Sequence, residues 1–201
     1  MPCRDARALR PMLAQLAEPP LTDPQLVYEL KYDGIRALVE IVPVDSARRG
    51  TARVRIFSRL GNDKTAQFPE IVKALSRFGA TLPSTIILDG EIVALDEQGE
   101  PAGFQQLQGR IHLTSIEQGE AAERPVALMA FDLLCEGGRE LCDLPLTERR
   151  ARLERVFAQT LSPLLRLSEM VTGDGRPLFA QATKKGWERS EERRVGKECR
   201  L

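Results

Sequence analysis

Two apolar runs, Leu26 to Leu30 and Ile35 to Val44, flank the polar stretch Lys31-Tyr32-Asp33-Gly34. Their apolar, partly β-branched character predicts neighbouring strands at about 26–31 and 35–43. Asp33-Gly34 is a turn signal, so Lys31 is expected at a strand end where the chain reverses. Arg53 to Ser58 alternates charged and apolar residues, the signature of a half-buried strand. Phe68, Ile71, Leu75 and Phe78 fall on one helical face, with Gly79 as the stop. Thr85 to Leu95 predicts two strands or one bent strand, with Asp89-Gly90-Glu91 at the bend. Gly103 to Arg110 predicts a short helix, and Val126 to Leu134 a buried strand closed by the Glu136-Gly137-Gly138 turn.

Further on, Thr147 is expected to cap a helix running to about Phe157, with Glu148 in its first turn. Leu164 to Leu167 predicts a strand, and Leu178 to Lys185 a helix stopped by Gly186. Residues 44–51 read as a polar loop. Five prolines before residue 25 favour an extended arm (1–24) with one short turn around Met12 to Leu16. Strands outnumber helices and the turn signals favour antiparallel pairing, so the fold class is α+β, mainly antiparallel sheets flanked by helices.

Composition narrows the function without naming it. Hydrophobic content of 42% and charged content of 29% are those of an ordinary globular protein. Basic and acidic residues both number 29, so contact with a polyanion would rest on a local patch. Cys3, Cys135, Cys142 and Cys199 form no C-x-x-C pair, and His112 is the only histidine. A zinc site is therefore not expected, and reduced thiols in a cytoplasmic protein are the default. No apolar run has the length of a membrane span.

Lys31 is the candidate nucleophile. An amine held between two strands can lose its proton when it is desolvated or set beside other cations. Alone it reads more readily as a solvated surface lysine than as a nucleophile. The company it keeps changes the weight. Glu29-Leu30-Lys31-Tyr32-Asp33-Gly34-Ile35-Arg36, Ser58-Arg59-Leu60-Gly61-Asn62-Asp63, Leu88-Asp89-Gly90-Glu91, Phe131-Asp132-Leu133-Leu134 and Gly186-Trp187-Glu188 occur in that order. In order and spacing they resemble the nucleotidyltransferase motifs of ATP-dependent DNA ligases. Pro11 to Ala14, Thr65 to Glu70, and Leu144-Pro145-Leu146 with Arg149-Arg150 resemble the bacterial end-joining subgroup.

The resemblance implies the fold of DNA ligases and capping enzymes, with an adenylation domain over 25–188. It implies that Lys31 takes AMP from ATP as a phosphoramidate and passes it to a 5′-phosphate at a DNA nick. Glu29, by side chain or backbone, would read the adenine amino group, although a cross-strand ion pair would also explain it. Asp33 and Glu188 would hold Mg²⁺ (or Mn²⁺), directly or through its water. Gly34 belongs to the same nucleotide loop. Arg36 would contact ribose or phosphate, and Glu91 would bind ribose or metal-held water. Phe131 would stack on adenine, although core packing also explains a phenylalanine there. Arg59 would meet the phosphate of the broken strand.

The implied partners are nicked or broken duplex DNA and an end-bridging protein, with the chain a monomer. An RNA ligase, a capping guanylyltransferase or a non-catalytic nucleic-acid binding module are the competing readings. At Arg189 the pattern departs from the family's glycine. Residues 189–201 are charged and aperiodic, and closely resemble the translation of a common sequencing-library adapter. They are read as an artefactual tail and set aside from fold reasoning, with a basic nucleic-acid tail as the alternative. The expectation is an adenylation domain incomplete at its C-terminus, weak or inactive on its own.

Overall fold

The computed structural model describes residues 2–11, 20–44, 51–111, 125–158, 160, 162–185, 187 and 191–194. In chain order these form β1 (Leu26–Glu29), β2 (Ile35–Pro43), β3 (Ala52–Ser58), α1 (Pro69–Gly79), β4 (Ile86–Leu95), β5 (Pro101–Ala102) and α2 (Gln108–Ile111). There follow β6 (Val126–Glu136), β7 (Arg139–Glu140), α3 (Leu146–Phe157), β8 (Leu165–Leu167), β9 (Met170–Thr172), α4 (Arg176–Lys184) and β10 (Glu191–Arg194). The class is α+β, as the pattern predicts. Met12 to Leu16, His112, Gly186 and Glu188 lie outside the described residues, so the expectations on them carry no structural account.

A seven-stranded sheet runs in the order β3-β2-β4-β6-β7, with β5 on β4 and β8 on β6. Every pair in it is antiparallel except β6 with β8. One face is the apolar half of each strand's period-two pattern. Val39, Ile41, Leu88, Leu128 and Leu133 pack there against Ile71, Leu75 and Phe78 of α1 and against Leu153 and Phe157 of α3. The alternate positions of β2 and β4, among them Arg36, Asp89 and Glu91, belong to the opposite face. A second sheet, β10-β1-β9, buries Leu26, Tyr28 and Leu30 against Leu178 and Ala182 of α4.

Several expectations are corrected. β1 and β2 are not a hairpin: β1 pairs with β9 and β10, whereas β2 pairs with β3 and β4. Asp33-Gly34 therefore marks a crossing between sheets. Both strands are apolar enough to be central, and a turn signal between them cannot say which partners they take. Thr85 to Leu95 holds one continuous strand; the irregularity lies in its partner, where β6 shifts register at Ile87/Leu88 and Asp89/Gly90. The helix expected from Thr147 begins at Leu146 with Pro145 as N-cap, and α4 starts two residues before Leu178. The prolines Pro145 and Pro177, each at a helix start, set these boundaries.

The cysteines also depart from the default of free thiols. Cys3 is joined to Cys135, while Cys142 is buried and forms no disulfide. The arm is not simply extended: Asp5 accepts from the Arg7 N–H and starts a 3-10 turn at Ala6–Ala8. Ala6 and Leu9 are buried with Leu38, Phe57, Ile87 and Cys135. The Cys3 N–H donates to the Gly138 carbonyl at 2.8 Å, which brings the arm to the β6–β7 turn. A pairing across 132 residues leaves no trace in cysteine spacing. Residues 191–194, aperiodic in side chains, pair with β1 as β10; a main-chain ladder forms whatever side chains it carries. No helix among the described residues is long and apolar enough to cross a membrane.

Gly79 closes α1 for a different reason from a left-handed cap. A Cβ there would lie 2.4 Å from Ala52 Cβ and 2.5 Å from Ile41 Cγ2, so the glycine lets the helix end sit directly on β2 and β3. Gly79→Ala is expected to destabilise the fold by about 1–3 kcal/mol through overpacking, read as a lowered urea midpoint at unchanged slope.

Candidate active site

The site begins where the chain leaves one sheet for the other. β1 ends at Glu29 and β2 begins at Ile35, so Leu30 to Gly34 span the crossing. A Cβ on Gly34 would lie 2.2 Å from the Ile92 carbonyl oxygen and 3.0 Å from Glu91 Cγ. Glycine alone allows the backbone to lie this close to β4. The Gly34 N–H donates to the Glu91 carboxylate. The exposed Asp33 accepts the Phe104 N–H through Oδ2 at 2.9 Å, which pins the crossing from its other side. Lys31 is thereby held half-buried, with its positive charge acting on Glu91.

Four more groups meet on the sheet face behind it. Arg36 stands opposite Glu91 in the β2–β4 register. Its Nε and Nη2 donate to Asp89 Oδ1 and Oδ2 at 2.6 and 2.7 Å, and its Cζ lies 4.4 Å over the Phe131 ring. Planar delocalised charge suits both contacts. Phe131 itself is the extra residue of a bulge: Asp89 pairs with Asp132 and Gly90 with Ala130, so Phe131 is inserted between two consecutive register pairs. Burial raises the Glu91 carboxyl to about 7, with Asp89 adding to the rise; Arg36, the Gly34 N–H and Lys31 pull it down.

Around this centre lies a second ring of contacts. Glu29 is 4% exposed, and its Oε1 is 3.8 Å from Arg150 Nη1. The Tyr32 phenol, pushed up by burial, shares a hydrogen bond with Ser168. Its ring is 6.3 Å from that of Trp187, whose Nε1–H donates to the Pro101 carbonyl at 3.0 Å. Asp132 receives Nε and Nη2 of the buried Arg149 at 2.8 and 2.9 Å.

The structure thus brings Lys31, Gly34, Arg36, Glu91 and Phe131 together, with Asp33 at the exposed edge of the crossing. Glu29 lies on the adjoining strand. Arg59 is exposed in the turn after β3, one residue past Ser58, which pairs with Ala37 next to Arg36. Sequence reasoning missed Asp89 and Arg150. The alternation of β4 puts Asp89 on the same face as Glu91 and could have found it. Arg150 stood in the subgroup motif without a role, because a helical arginine reads as solvated until its helix is placed. Among the described residues no three His, Cys, Asp or Glu side chains converge on a metal position. Mg²⁺ typically takes one or two carboxylates and completes its shell with water and substrate phosphates, and Asp33 and Glu91 are hard oxygen donors of that kind.

A family model described as ATP dependent DNA ligase domain matches residues 11–190. Over 188 residues the chain is 36% identical to the multifunctional non-homologous end joining protein LigD of Pseudomonas aeruginosa, covering 94% of this chain and 20% of that protein. It is 39% identical over 134 residues to a probable DNA ligase of Streptomyces coelicolor, covering 66% of this chain and 24% of that one. Among solved structures, mycobacterial DNA ligase D complexed with ATP and MES is similar at a TM-score of 0.74 and 33% identity, over 96% of this chain and 56% of that one. The chain spans about a fifth to a quarter of the length of these curated relatives.

The raised carboxyl of Glu91 has a thermodynamic consequence. Between its ordinary value of 4.5 and about 7 the folded state holds a proton that the unfolded state has released. Stability from this group therefore falls as pH rises across that window and is flat outside it, by about 3 kcal/mol in full. Urea unfolding of Glu91→Gln against the parent from pH 5 to 8 is expected to show the variant gaining relative stability as pH rises.

Proposed function

The chain belongs to the ATP-dependent DNA ligase domain family, and from that membership we propose that Lys31 is the residue that accepts AMP. The observation that carries the proposal is the crossing pinned by Gly34 against β4. It holds Lys31 where its charge is felt by Glu91, whose strand partner Arg36 lies over the Phe131 ring.

In the proposed reaction the unprotonated Lys31 Nζ attacks the α-phosphorus of ATP. A P–N bond forms, the bond to the bridging oxygen of the β-phosphate breaks, and pyrophosphate leaves. Such a displacement depends on positioning and on charge compensation at the phosphate oxygens. Phe131 offers its ring to the adenine, Glu29 accepts from the base's amino group, and Glu91 receives the ribose. Arg36 is fixed by Asp89 so that its plane cannot swing, and it faces the ribose or phosphate. Mg²⁺ or Mn²⁺ bound through Asp33, and through Glu188 outside the described residues, would neutralise charge on the phosphates. AMP then passes to a 5′-phosphate at a nick, and a 3′-hydroxyl displaces it to seal the strand. Arg59, exposed beside the register of Arg36, would receive the phosphate of the broken strand. The proposed setting is a cytoplasmic monomer acting on nicked or broken duplex DNA with an end-bridging protein.

ATP labelled at the α-phosphate, incubated with the chain and Mg²⁺, is expected to give weak covalent labelling that is stable to alkali and released by acid, as a phosphoramidate is. Lys31→Ala is expected to remove it entirely. Labelling that survives Lys31→Ala, or a chain that does not bind ATP, would overturn the assignment.

A further inference from the structure

Arg150 is a buried charge beside the reacting centre, tied to it by contacts with Glu29 and Ser168. It projects from α3 and is 6% exposed. Nε donates to Glu154 Oε1 at 2.8 Å and Nη2 to the Ser168 carbonyl at 2.6 Å. Nη1 is buried with no hydrogen-bond acceptor among the described residues and lies 3.8 Å from Glu29 Oε1. Two of these three contacts lead into the site. Glu29 is the last residue of β1 before the crossing to Lys31. Ser168 donates its N–H to the carbonyl of Ala130, next to Phe131, at 2.8 Å, and its hydroxyl bonds Tyr32, next to Lys31.

A carboxylate as buried as Glu29 stays charged only against a matching cation. Charged, it can only accept hydrogen bonds; protonated, it can also donate one. That distinction decides what edge of a base it tolerates. An acceptor fits a purine carrying an amino group at position 6 and repels one carrying a carbonyl oxygen there. A site built for one of these rejects the other because a buried polar group is left unmatched.

We propose that Arg150 is a positioning residue for base choice: by holding Glu29 charged and aimed from behind β1, it makes the site select a 6-amino over a 6-oxo purine nucleotide. The inference rests on the reading that Glu29 meets the base. Arg150 touches no substrate. It acts through Glu29, while its Ser168 contact holds the Tyr32 side of the same pocket.

Equilibrium binding of ATP and of ITP, its 6-oxo counterpart, to the full chain separates this from a purely structural role. The parent is expected to prefer ATP, and Glu29→Gln to lose most of that preference. Arg150→Met is expected to cut the ATP/ITP ratio about tenfold, and Arg150→Lys to restore part of it. Arg150→Gln, uncharged but still polar, carries the comparison if Arg150→Met does not fold. In the double variant Arg150→Met/Glu29→Gln both charges are gone, and its ratio is expected to equal that of Glu29→Gln alone. If the Arg150 variants lose stability while the ratio is unchanged, or if the double variant falls well below Glu29→Gln, the role is overturned. If Glu29→Gln itself leaves the ratio intact, the reading beneath it fails instead.

Discussion

The closeness of one backbone to another governs this molecule's site. At Gly34 the chain crosses between sheets so near to β4 that a methyl group would meet the Ile92 carbonyl oxygen at 2.2 Å. A glycine amide can then reach the Glu91 carboxylate, and Lys31, three residues earlier, is carried to the same place. The bidentate Arg36–Asp89 pair and the bulged Phe131 sit on strands that this contact brings into line. The lysine is located less by its own contacts than by a space in which no side chain fits.

Electrostatics follows from this packing. Asp89 and Glu91 are two carboxylates on one strand face, and like charges so placed cannot both ionise without a cation. Arg36 resolves the conflict unequally. Its Nε and Nη2 donate to Asp89, while Glu91 meets the charge of Arg36 and of Lys31 and the Gly34 N–H. Glu91 is consequently the group whose charge responds to what enters the pocket, while Asp89 serves as a fixed anchor.

Much of this was legible in the chain itself. Period-two alternation located β3, and an apolar face marked α1. The lysine, the Asp-Gly pair and the later acidic and aromatic motifs pointed to residues that converge on one sheet face and its crossing. What could not be read was partnership. Leu26 to Leu30 and Ile35 to Val44 look like a hairpin because proximity in sequence is the only cue available there, and hydrogen bonding to β9 and β10 leaves no pattern in β1. Gly79 read as a helix stop because the local rule for glycine is conformational; its actual constraint comes from Ala52 and Ile41, distant in sequence. Arg150 and the Cys3–Cys135 bond are tertiary for the same reason.

The bulge in β6 has a consequence for how a ligand would be received. On one side of it Asp132 is gripped by Arg149, and on the other Ala130 is tied to Ser168. Cys135, further along the strand, is bonded to the arm. The ring of Phe131 therefore projects from a strand that is restrained on both sides. An aromatic platform so restrained has little conformational freedom left to surrender when a planar partner arrives. Affinity at this spot would reflect the quality of the stacking itself, undiminished by the entropy of assembling it.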